Sequence, residues 1–141
     1  MNKYILLIDD DEDELVIFTD ALKRVGDFYK CTYAADAEQA MDILKEIQPG
    51  FIFVDYNLPR INGLEFISVA RNSIRPGVTR VFLYSTKIDD EMIKMARLLG
   101  AAGCIEKPLT VAGLARELKI LLDPESPRAL NFFQKGNNNG M

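Results

Sequence analysis

Tyr4-Ile5-Leu6-Leu7-Ile8-Asp9-Asp10-Asp11-Glu12-Asp13-Glu14 changes character at one point: a run of uncharged, mostly aliphatic residues gives way to six consecutive acids. The first half has the length and composition of a buried strand. Beyond the acids, Leu15, Phe18, Leu22 and Val25 recur at spacings of three and four before Gly26, the signature of an amphipathic helix with a glycine stop. One strand followed by one helix is the unit, and it repeats outward along the chain. A second strand is predicted over roughly Tyr29 to Ala34, followed by a helix with Ala37, Met41, Leu44 and Ile47 on one face and closed by Pro49-Gly50. Phe51 to Val54 is the third strand. The breaker-rich turn Asn57 to Gly63 leads to a helix striped by Leu64, Ile67, Ala70 and Ile74 and halted by Pro76-Gly77. Val81 to Tyr84 precedes a helix with Met92, Met95 or Ala96, and Leu99; Gly103 to Ile105 precedes one with Val111, Leu114, Leu118 and Leu121.

Five such units predict an α/β fold, a parallel five-stranded sheet covered by helices on both faces. Right-handed crossovers restrict it to doubly wound orders, and five units suit 2-1-3-4-5. The units occupy residues 1–122, leaving 123–141 as a C-terminal tail. There the pattern breaks at Pro124 and Pro127 and ends in Gly136-Asn137-Asn138-Asn139-Gly140, which reads as frayed, with Leu130, Phe132 and Phe133 able to dock on the body.

Composition narrows the chemistry. At 141 residues and 48% hydrophobic, the chain has the size and core content of one globular domain. Its longest uncharged runs are eight residues, as at Ile47 to Val54, against about 20 for a membrane span. Met1-Asn2-Lys3-Tyr4 lacks the features of a secretory leader, so a cytoplasmic location is expected. The absence of histidine removes a His base, a His metal ligand and a phosphohistidine of its own. Cys31 and Cys104 are too few for a zinc site, and strands two and five are opposite edges of the predicted sheet, roughly 19 Å apart at four strand spacings. Free thiols are expected. The net charge is -4, yet Asp9 to Glu14 alone carries six negative charges.

In an open α/β sheet, ligands sit beyond the carboxyl ends of the strands where strand order reverses. Asp9 and Asp10 follow strand one, Asp55 strand three, Ser85 and Thr86 strand four, Glu106 and Lys107 strand five. Asp11 to Glu14 read as a solvated, dipole-favoured helix start. Asp9 and Asp10 precede the helix, where adjacent carboxylates repel unless a cation lies between them, and hard oxygen ligands favour Mg²⁺. Asp55 is either the cap of the turn before helix three or a carboxylate nucleophile that takes up a phosphoryl group as an acyl phosphate. Ser85 and Lys107, unremarkable singly, together supply the hydroxyl and the positive charge that such a group requires. Pro108 adds a rigid bend.

At these residues the chain resembles the response-regulator receiver family, the phosphoacceptor half of two-component signalling, over about residues 3 to 122. The motifs are Ile5-Leu6-Leu7-Ile8-Asp9-Asp10, Val54-Asp55-Tyr56-Asn57-Leu58-Pro59 with Gly63, Leu83-Tyr84-Ser85-Thr86, and Glu106-Lys107-Pro108. The resemblance implies the flavodoxin-like order 2-1-3-4-5, so that order is not independent of it. It also implies Asp55 as the phosphoacceptor, Mg²⁺ held by Asp10, Asp55 and the backbone carbonyl of Asn57 with Asp9 acting through water, and Ser85 and Lys107 on the phosphoryl oxygens. Asn57 and Lys87 would flank the phosphate, and the Lys107–Pro108 bond would be cis. One position departs from the pattern: Cys104 stands where the family usually has an aromatic switch residue.

The implied function is a stand-alone phosphoacceptor response regulator, not an enzyme acting on a separate substrate. It would be served by a sensor histidine kinase or histidine phosphotransfer protein, answer to a downstream protein the sequence does not name, and exist as a monomer or weak homodimer. No basic helix points to nucleic acid. Three rivals are weaker. Asp9-x-Asp11 superficially matches haloacid-dehalogenase-like phosphatases, but Asp13 stands where that motif has Thr or Val. A flavodoxin-type cofactor site would meet six acids where its phosphate loop belongs. A non-phosphorylated receiver-like scaffold typically loses an acid or the lysine, and all are present here.

Overall fold

Each predicted unit folds as a strand and a helix. The computed structural model describes residues 2–75, 77–123, 125 and 132–134. Its elements are β1 (Tyr4–Ile8), α1 (Glu12–Val25), β2 (Lys30–Ala34), α2 (Ala37–Glu46), β3 (Phe51–Val54), α3 (Gly63–Ala70), β4 (Arg80–Ser85), α4 (Asp90–Leu98), β5 (Gly103–Glu106), α5 (Val111–Leu121) and β6 (Phe132–Gln134). All five helices begin on a side-chain cap: Asp11, Asp36, Asn62, Asp89 and Thr110 accept from backbone N–H groups in the first turn. Each such cap stabilises a helix start by about 1 kcal/mol. The α3 cap is reciprocal, because Glu65 reaches back to the N–H of Asn62. This helix is shorter than its stripe predicts. It ends at Ala70 in a 3₁₀ turn, Arg71–Ser73, and Ile74 packs on the core from beyond that turn.

The sheet is parallel throughout, in the order β2-β1-β3-β4-β5-β6. The predicted 2-1-3-4-5 order holds, and a sixth strand from the expected tail extends it beside β5. Only Phe132–Gln134 of that tail forms a described element; Leu130 and the Gly136–Gly140 stretch lie outside the described residues. Leu6, Ile8, Ile52, Val54 and Leu83 face α2, α3 and α4 in one core layer. Ile5, Leu7, Phe53, Phe82, Tyr84 and Ile105 face α1 and α5 in the other, where Phe53 packs against Phe18 and Phe82 at 5.1 Å between ring centroids. Cys31 in β2 and Cys104 in β5 are both free, with β1, β3 and β4 between them. Among the described residues no helix is long and apolar enough to cross a membrane.

The ladder also positions the site. Asp9 N–H donates to Ala34 O at 3.0 Å, Asp55 N–H to Ile8 O at 2.9 Å, and Lys107 N–H to Ser85 O at 2.8 Å. The first residues beyond β1, β3 and β5 are therefore still held by strand pairing. Their side chains project from the carboxyl edge with little backbone freedom left.

Candidate functional site

Asp55 lies between two side-chain donors and a backbone N–H at the carboxyl edge. Its Oδ1 accepts from Ser85 Oγ at 3.1 Å and from the Asn57 N–H at 3.2 Å, and its Oδ2 is 3.3 Å from Lys107 Nζ. Lys107 reaches further, to Asp9 Oδ2 at 2.8 Å and Glu14 Oε2 at 3.8 Å. Asp9 Oδ1 in turn accepts the N–H of Asp11 at 3.0 Å. Asp9 is fully buried and Ser85 nearly so, whereas Asp55 keeps 6% of its surface at the mouth and Asp10 is exposed. Tyr33 pins the backbone from the outside, its hydroxyl donating to the Asp9 carbonyl.

Burial raises the Asp9 carboxyl to about 6; Lys107 and the Asp11 N–H oppose the rise, and the neighbouring Asp55 charge adds to it. Burial pulls Lys107 downward, but its hydrogen bond to Asp9 and the charges of Asp9, Asp55 and Glu14 outweigh this and hold it above the usual lysine range. It is an ammonium ion. One cation thus faces the carboxylates of Asp9, Asp55 and Glu14, with Asp10 beside them, so the pocket is short of positive charge. Oxygens of Asp9, Asp10 and Asp55 all lie within 4.8 Å of one another. An all-oxygen donor set with excess negative charge fits a hard divalent cation. The small exposed surface of Asp55 is where an incoming electrophile would meet a carboxylate flanked by a hydroxyl and an ammonium.

The structure therefore brings Asp9, Asp10, Asp55, Ser85 and Lys107 together. Asn57 shares the turn after β3 and contributes its N–H to Asp55; Lys87 stands exposed in the loop after β4. No peptide bond among the described residues is cis, so Lys107–Pro108 is trans, against expectation. Asp11 caps α1 through the N–H of Asp13, and the carboxylates that gather at the edge are Asp9, Asp10 and Asp55, not the Asp9-x-Asp11 pair of the phosphatase reading. The acidic run predicts Glu14 as part of a solvated helix start. Glu14 lies in the first turn of α1, on the face that carries Phe18 inward, and joins Lys107; the spacing of four from Phe18 is the available signal. Gly63 is a second such residue. A Cβ there would stand 2.4 Å from the Asp55 carbonyl oxygen, so only glycine lets α3 start against the site.

Residues 5–119 match the profile of the response regulator receiver domain. A probable chemotaxis protein CheY of Rhizobium etli is 28% identical over 107 residues, covering 76% of this chain and 82% of that protein. Sporulation initiation phosphotransferase F of Bacillus subtilis is 25% identical over 126 residues, covering 89% and 98%. A response regulator of Burkholderia pseudomallei, solved with a phosphorylated aspartic acid and a calcium ion, shares the fold at a TM-score of 0.69 and 23% identity, over 89% of this chain and 76% of that one.

Proposed function

This chain belongs to the response regulator receiver domain family, and we propose that Asp55 is its phosphoacceptor, charged from a phosphohistidine on a sensor kinase or phosphotransfer protein. The observation that carries this is the posture of Asp55: one oxygen on Ser85 Oγ, the other on Lys107 Nζ, at the mouth of a pocket rich in carboxylates. In the transfer the N–P bond of the donor imidazole breaks, a bond forms between phosphorus and an Asp55 oxygen, and the imidazole nitrogen keeps the electron pair and takes up a proton. Ser85 then donates to a phosphoryl oxygen in place of Asp55 Oδ1. Lys107, already charged, pairs with the added phosphate while Asp9 holds its other side. The donor histidine belongs to the partner, because this chain has none.

Asp10, Asp55 and the Asn57 carbonyl would hold a divalent cation, with Asp9 acting through water, and Mg²⁺ is the ion we assign. Its chemistry is to offset charge on the transferring oxygens. Asn57 and Lys87 flank the phosphate and set its lifetime, so the only reaction the chain promotes is its own phosphorylation and dephosphorylation. Output passes through protein contacts in the cytoplasm, from a receiver spanning residues 1–122 with 123–141 as an appendage. Acetyl phosphate with Mg²⁺ should add one phosphoryl mass to the chain. Asp55→Asn should abolish it, and a label mapped by peptide mass spectrometry to another residue would make the assignment wrong.

A further inference from the structure

We propose that Glu106 is a positioning residue for phosphoryl uptake, an inference that rests on Asp55 being the phosphoacceptor. The loop from β4 to α4 runs from Thr86 to Asp89, and its ends are fixed by the last residue of β5 and the residue that follows it. At its start, the Ser85 carbonyl accepts the Lys107 N–H at 2.8 Å while the Ser85 hydroxyl engages Asp55. At its far side, the Ile88 N–H donates to Glu106 Oε2 at 2.9 Å, and the Ile88 side chain is buried in the core layer beneath α4. Asp89 then caps α4. Thr86 and Lys87 are the exposed pair strung between these anchors.

Glu106 and Lys107 therefore divide the work. Lys107 serves Asp55 directly, and Glu106 touches none of the reacting atoms but sets where the exposed pair stands relative to Ser85. A backbone N–H on a carboxylate is a charge-assisted bond, and its loss leaves the Ile88 N–H without that partner beside a buried side chain. The loop would then have to be ordered each time a phosphoryl group is bound, and that cost would fall on uptake.

The test compares the full chain with Glu106→Gln, which keeps an acceptor oxygen, and Glu106→Leu, which keeps bulk and loses it. Uptake from acetyl phosphate with Mg²⁺ is followed by intact mass, beryllofluoride affinity by titration, and Ile88 by amide hydrogen exchange. Glu106→Leu should exchange Ile88 at least about tenfold faster, and slow uptake and weaken beryllofluoride by about five- to tenfold. Glu106→Gln should restore both, with thermal unfolding of all three within a few degrees. Faster Ile88 exchange in Glu106→Leu with unchanged uptake and beryllofluoride affinity overturns the proposal, as does a Gln variant as slow as the Leu variant. A wild-type chain that takes no label overturns the phosphoacceptor reading itself, whereas label taken up equally by all three chains overturns the role of Glu106 alone.

Discussion

Gly63 shows how little room surrounds Asp55. The Gly63 N–H donates to the Tyr56 carbonyl at 2.8 Å, and the Cβ it lacks would overlap the Asp55 carbonyl oxygen, a backbone atom tied to the β3 ladder. Gly63→Ala should therefore push α3 from the site and cost roughly 1–3 kcal/mol, the range for inserting a methyl into a packed position. Urea denaturation measures it, and a change below about half a kcal/mol would mean the turn has slack. The thiols give a pH-dependent counterpart. Burial pushes both Cys31 and Cys104 up to about 12, so at pH 8 roughly one in 10⁴ of each is thiolate. Iodoacetamide should label neither until the protein unfolds. Because the folded values lie above the unfolded ones, the associated stability is complete below about pH 9, then falls by up to roughly 1.4 kcal/mol per pH unit for each thiol until pH 12. A urea midpoint independent of pH over that window would contradict the burial of Cys104 and the partial burial of Cys31. At this scale, Asp9, Asp10, Asp55, Ser85 and Lys107 were legible in the sequence because each stands at or within two residues of the carboxyl end of a strand. The contacts of Glu14 with Lys107 and of Glu106 with the Ile88 N–H are not legible there, because they depend on which way a helix turns and which loop faces a strand end.

The elements were legible where polar and apolar residues alternate with a clear period, and obscure where a strand is recruited by another strand. Phe132-Phe133-Gln134 has too few residues to show a period, and the prolines upstream argue for a tail. What makes it a strand is β5, whose outer edge would otherwise leave a row of backbone groups without sheet partners. Pairing places Phe133 opposite Cys104, and Arg97 of α4 lies over the Phe133 ring at 4.4 Å. The small, fully buried thiol at the usual aromatic position thus has an aromatic neighbour supplied by the next strand. Phe133→Ala should cost roughly 1–2 kcal/mol, from the half-buried ring and its cation contact together. Hydrogen exchange of the β5 amides should report it first, and protection equal to wild type would show that β6 is held without the ring.

At the scale of the molecule, both core layers are built among the described residues from the five strand-helix units. Among the described residues, every buried member of either layer lies between Ile5 and Leu122, and the partly buried Phe133 packs against the layer facing α4. Asp9, Asp10, Asp55, Ser85 and Lys107 likewise all precede α5. A chain ending at Asp123 should therefore fold with one cooperative urea transition, at a cost no larger than the ring and its short ladder supply, roughly 1–3 kcal/mol. The acid pocket gives that fold an independent readout. A cation that binds the native carboxylates and not the unfolded chain raises stability with its concentration, so Mg²⁺ should shift the midpoint of the truncated and the full chain by the same increment. Asp10→Ala should shrink that increment in both. Two transitions for the truncated chain, or a Mg²⁺ increment present only when residues 124–141 are attached, would mean that the C-terminal segment is part of the domain and not an addition to its edge.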